Sequence, residues 1–161
     1  MKEQNFLHKL KKEKKLQLVE PSEELSKAYT QKSQEYLQLA KLVIINKFYE
    51  AGTVNTYYSM YYISLALLFL NGIKSENHTA TLILLKKLFD IDITTIKQSK
   101  KDRIDSQYYL PDQQQKPINE QFAKQALNEA QNYYDIIRTS IETTTNAKKE
   151  ETRKKFQNIF L

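Results

Sequence analysis

Apolar residues recur through most of this chain at a period near 3.6, which is the spacing of one face of an α-helix. Leu25, Tyr29, Tyr36, Leu39, Ala40, Val43, Ile44 and Phe48 keep that spacing and predict a first helix over about 22–48. Pro21 breaks the chain ahead of it, Ser22 can cap it, and Glu23 and Glu24 suit the positive end of its dipole. A second helix is predicted from Thr53 to the Asn71-Gly72 stop. Tyr57, Tyr58, Tyr61, Leu65, Leu68 and Phe69 form one broad stripe on it, and Met60, Ile63, Leu67 and Leu70 fill other faces. A helix apolar almost all round belongs at the centre of a bundle, so Tyr57, Tyr61, Leu65, Leu68 and Phe69 are expected to be buried.

Asn77 is placed to cap a third helix running from His78 to Phe89. A fourth starts near Thr94 or Thr95 and carries Ile96, Ser99, Lys100, Arg103 and Gln107 to Tyr108 and Tyr109. Residues 110–116 contain Pro111, run up to Pro117 and read as a loop. From about Asn119 a fifth helix places Phe122, Ala126, Ala130, Tyr133, Tyr134, Ile137 and Ile141 on one side, with a weak break at 143–146. The expected fold is all-α, an antiparallel up-and-down bundle of four to five helices over 20–145. It is flanked by a basic arm over 1–19 and a basic segment over 146–161. Phe6, Leu7, Leu10 and Leu18 keep only partial helical spacing, which predicts a frayed or partner-dependent helix in the arm.

Composition strengthens the helical reading. Only two glycines and three prolines occur in 161 residues, too few for the many tight turns of a sheet protein. No cysteine is present, which excludes disulfides and thiolate metal sites. The most apolar stretch, from Met60 to Leu70, is 11 residues long. A membrane span needs roughly 20, and the chain begins polar and basic, so a soluble, cytoplasmic protein without a membrane partner is expected. The net charge of +6 is uneven: residues 1–19 carry +4 and residues 148–155 carry +3, leaving about −1 for the rest. Such terminal basicity suits diffuse attraction to a polyanion, or simply a solvated helix face.

Four segments in order resemble the HEPN family of helical proteins. Phe48-Tyr49-Glu50-Ala51-Gly52 followed by Thr56-Tyr57-Tyr58-Ser59-Met60-Tyr61 resembles its aromatic-glycine entry and double-tyrosine helix. Gly72-Ile73-Lys74 with Glu76-Asn77-His78 resembles the next turn. Arg103-Ile104-Asp105-Ser106-Gln107-Tyr108 resembles an Arg-x4-Tyr ending of the fourth helix, and the fifth helix resembles the closing one. The likeness spans about 21–142 and includes neither basic terminus. It implies a homodimer and a nucleotide- or RNA-associated role, often beside a minimal nucleotidyltransferase in toxin–antitoxin-type pairs. The family's ribonucleases carry Arg-x4-6-His; here positions 108 and 109 are both Tyr and 110 is Leu, so the histidine is absent.

That departure decides how the candidate chemistry is read. Metal-free RNA cleavage needs a group to take the 2′-hydroxyl proton and cationic donors for the phosphate. Arg103 suits the second task, since guanidinium binds phosphate bidentately, and Lys100 on the same helix adds charge. Tyr108 is poor for the first because a phenol with a pKa of about 10 is rarely ionised at neutral pH. His78, in the first turn of the third helix, is the remaining candidate within the family-like region. The plainer alternatives are that Arg103 pairs with a carboxylate such as Asp102 or Asp105, and that Tyr108 and Tyr109 pack at an interface. The second-helix tyrosines are read as core rather than as a base-stacking platform. Neither a metal-spaced cluster nor a glycine-rich phosphate loop is present, so no metal or cofactor is expected. A module binding nucleotide, RNA or a nucleotidyltransferase through Arg103, Lys100, Tyr108, Tyr109 and His78 is favoured. An unconventional ribonuclease is the alternative.

Overall fold

The computed structural model describes residues 2–107 and 117–161. In chain order the elements are α1 (Lys2–Lys12), β1 (Leu16–Leu18), α2 (Glu23–Ile45), α3 (Tyr49–Leu70), β2 (Ile73–Ser75), α4 (His78–Phe89), α5 (Thr94–Gln107), α6 (Glu120–Glu142) and α7 (Asn146–Asn158). The expected helices are present at the expected places, and a small antiparallel ribbon is added. β1 pairs with β2 in the register Leu16 to Ser75 and Leu18 to Ile73. A ribbon of this size holds because Val19 N–H also donates to Gly72 C=O at 2.9 Å and apolar residues cover it.

The caps read from sequence act as such. Ser22 Oγ accepts from Leu25 N–H at 3.1 Å, and Asn77 Oδ1 accepts from Ala80 N–H at 3.0 Å. Two boundaries move. α2 ends at Ile45, and α3 begins at Tyr49, taking Gly52 into its first turns. Gly52 is there for closeness, not as a break. A Cβ on it would lie 2.3 Å from Ile44 Cγ1, so only glycine lets the two helices of this hairpin approach as they do.

α3 is the axis of the molecule. Tyr57, Met60, Ile63 and Leu67 are fully buried, and α2, α5 and α6 pack around them. Phe69 departs from expectation: it is half-buried and stacks on Tyr29 at a centroid distance of 5.3 Å, on the α2 side. Polar groups inside this core are satisfied locally. Ser33 Oγ donates to Ser59 C=O at 2.7 Å, and Ser64 Oγ and Tyr133 Oη share a 2.8 Å bond.

A second apolar cluster joins the bundle to the terminal helices through Leu68 of α3. Leu7 and Leu10 of α1, Leu16 of β1, Ile73 of β2, Leu84 and Leu88 of α4 and Phe156 of α7 are buried together. The arm, expected as a frayed or partner-dependent helix, is a packed one whose partners lie in the same chain: the partial spacing of Leu7 and Leu10 is enough once α4 and α7 supply the opposing surface. Arg153 of α7 fastens this layer, its Nη1 donating to Val19 C=O at 2.6 Å and Gly72 C=O at 3.1 Å. Among the described residues no helix is long and apolar enough to cross a membrane.

Candidate functional site at the junction of α3, α4 and α5

The second-helix tyrosines repeat every four residues, so they divide between two faces of α3. Tyr58 and Tyr62 turn toward α2 and meet Tyr36, with ring centroids 5.6 and 5.2 Å from it. Tyr57 and Tyr61 turn toward the start of α4. His78 is the first residue of that helix, held there by the Asn77 cap. Its ring stacks on Tyr61 with centroids 3.9 Å apart and planes 9° apart. Its Nδ1 lies 2.6 Å from Tyr57 Oη.

Arg103 and Lys100 arrive from α5, three residues apart and so on one face of it. The Arg103 guanidinium lies over the Tyr57 ring at 5.0 Å and near the Tyr58 ring at 5.6 Å. Its Nη1 donates to Tyr58 Oη at 3.1 Å. Its Nε is buried and has no hydrogen-bond partner among the described residues. Lys100 Nζ donates to Thr79 Oγ1 at 2.7 Å, one residue from His78. Among the described residues no ion pair includes either cation.

The electrostatics follow from this crowding. Burial chiefly, then the nearby Arg103 and Lys100, hold the His78 pKa below its ordinary 6.5, so the ring is neutral at pH 7. Burial and Arg103 likewise lower Lys100. Tyr57 is pushed well above its ordinary 10.0 by burial, with Arg103 opposing, so its phenol keeps its proton. A protonated phenol and a neutral imidazole share this bond in one of two ways, Tyr57 Oη–H donating to Nδ1 or Nδ1–H donating to Tyr57 Oη, according to the tautomer of His78.

The structure thus brings together three of the residues singled out from sequence: His78, Lys100 and Arg103. Tyr108 and Tyr109 lie outside the described residues. Sequence reasoning missed Tyr57 and Tyr58 as members of the site, having assigned both to the core. Their hydroxyls were the available signal, since a phenol buried on an otherwise aliphatic helix must find a polar partner. Among the described residues no group of three or more His, Asp or Glu side chains is placed to hold a metal ion.

No curated protein and no solved structure matches this chain. Residues 26–140 match the HEPN domain, a span that contains His78, Lys100 and Arg103 and leaves α1 and α7 outside. With most of its length so matched, the chain belongs to the HEPN domain family.

Proposed function

We propose that this protein is a nucleotide- or RNA-binding module whose phosphate anchor is Arg103, assisted by Lys100. The observation that carries this reading is the buried Arg103 Nε without a partner among the described residues, beside a second cation that is likewise not ion-paired there. A guanidinium with one buried donor unmatched is costly as it stands and is satisfied by an oxyanion that accepts from Nε and Nη together. Membership of the HEPN family supports phosphate of nucleotide or RNA origin. It also motivates the partners we propose, a second copy of the chain and a minimal nucleotidyltransferase.

Binding is favoured over cleavage because no histidine follows Arg103 at the Arg-x4-6-His spacing and because we assign His78 as a donor. A base must offer an unprotonated nitrogen to its substrate. In the assignment we propose, Tyr57 Oη donates to Nδ1 and the neutral ring carries its hydrogen on Nε2, which makes that nitrogen a donor. Purified protein is therefore expected to bind single-stranded RNA in an anisotropy titration and to leave it uncut on a denaturing gel. Robust cleavage that disappears in Arg103→Ala or His78→Ala would overturn the binding reading in favour of a ribonuclease.

A further inference from the structure

His78 is more tightly fixed than a histidine near two cations needs to be for simple packing. Stacking on Tyr61 sets its plane, and the bond shared with Tyr57 occupies its Nδ1. Among the described residues, the titratable groups that face it are Tyr57 and Tyr61 from α3 and Lys100 and Arg103 from α5. Around it the junction therefore offers two positive charges and the Thr79 hydroxyl, which accepts from Lys100 and retains its own hydrogen, and with Tyr57 as donor to Nδ1 it adds His78 Nε2–H.

That inventory selects among phosphates. An internal phosphodiester carries one negative charge and two free oxygens. A terminal phosphate monoester carries about −1.5 to −2 near neutral pH and three acceptor oxygens. Placing a single charge between two partly buried cations leaves one of them unmatched, which is unfavourable away from bulk water. A monoester matches both and leaves an oxygen for an uncharged donor.

Resting on the phosphate-binding reading above, we propose that the α3–α4–α5 junction takes the terminal phosphate monoester of a nucleotide or RNA end in preference to an internal phosphodiester. Arg103 and Lys100 match its charge, and His78 Nε2–H is the third, uncharged donor. His78 is a positioning and recognition group in this site, and Tyr57 acts through it by holding the tautomer.

The test compares one short single-stranded RNA, labelled internally, in 5′-phosphorylated, 3′-phosphorylated and unphosphorylated forms. Adenosine monophosphate and adenosine are titrated by calorimetry as the free-nucleotide arm. The intact chain is expected to bind a phosphorylated form about tenfold more tightly than the unphosphorylated one, the scale of one added charge-assisted hydrogen bond. In His78→Phe, which keeps a stacking ring, that ratio falls toward one, and thermal melting confirms that the variant is folded. Long-range proton–nitrogen NMR reads the tautomer directly and should find the hydrogen on His78 Nε2. Equal affinity for all three strands, with loss of binding in Arg103→Ala, would overturn the monoester preference while leaving the phosphate anchor standing. A hydrogen on Nδ1 would overturn the role given to His78. No measurable binding of any form would overturn both readings.

Discussion

The outer layer of α1 and α7 carries most of the chain's surplus positive charge, whereas the α3–α4–α5 junction contributes two cations from α5 and a neutral histidine. In the outer layer many of the cations already have partners. Lys9 and Lys15 reach Glu13, Lys149 reaches Glu23, and Lys155 reaches Glu151. Lys148 donates to Thr143 C=O, Lys11 lies 4.3 Å over the Phe160 ring, and Arg153 is spent on two backbone carbonyls. At the junction Arg103 rests on aromatic faces with a buried donor left over. Charge count therefore points to one end of the molecule and unmatched donors point to the other. A site is marked by what its charges lack, and number alone describes a solvated, ion-paired surface whose individual pairs are worth little.

Phe156 is 1% exposed and joins α7 to the outer cluster. Phe156→Ala should cost about 3–5 kcal/mol of unfolding free energy. Denaturant titration measures it, and RNA affinity of the remaining folded molecules should not change. Arg153→Ala should follow at about 1.5–3 kcal/mol, because Val19 and Gly72 are left without a charged donor. If either change abolished RNA binding in protein that is still folded, the outer layer would be part of the site.

A smaller effect is expected from pH. The folded state holds His78 below its ordinary 6.5, so between the two values the unfolded chain binds more protons than the folded one. Stability is thus complete above about pH 6.5 and falls as pH drops through that value. A series of thermal melts from pH 8 to pH 5 should show a decline that is shallower in His78→Phe. An identical decline in both proteins would remove the burial argument for this ring.

The smallest effect per residue belongs to the terminal lysines. Neutralising several of Lys11, Lys12, Lys14 and Lys154 should flatten log affinity against log salt by roughly 0.7–0.9 for each phosphate no longer neutralised. An unchanged slope would show that the outer layer takes no part even in diffuse attraction.

How much of this was legible beforehand differs along the same line. The bundle was readable because helical periodicity and caps are local: Ser22, Asn77 and the stripe through Tyr57, Tyr61 and Leu65 each state their role within one or two turns. The packed state of α1 was not, because Leu7 and Leu10 are too few to predict a stable helix alone and depend on Leu84 and Phe156, far away in sequence. The short ribbon was missed for a similar reason, since Leu16–Leu18 acquires its partner only after two long helices bring Ile73–Ser75 alongside. At the site, Arg103, Lys100 and His78 were nameable from residue type and spacing. Their convergence on Tyr57 was not, because 46 positions separate Tyr57 from Arg103 in the chain and only the hairpin of α2 and α3 with α4 and α5 closes that distance.

We propose as phosphate anchor the unmatched donor at the junction, and not the richer charge of the termini. Anisotropy titration of single-stranded RNA against wild type, Arg103→Ala and the terminal-lysine variant across a range of salt concentrations tests it most directly. The account predicts that Arg103→Ala loses about 1.5–3 kcal/mol of binding, roughly ten- to a hundredfold or more, at every salt concentration. The lysine variant should lose affinity chiefly at low salt. Unchanged affinity in Arg103→Ala, with binding abolished by the lysine changes at all salt concentrations, would contradict it and reduce Arg103 to a structural cation resting on Tyr57 and Tyr58.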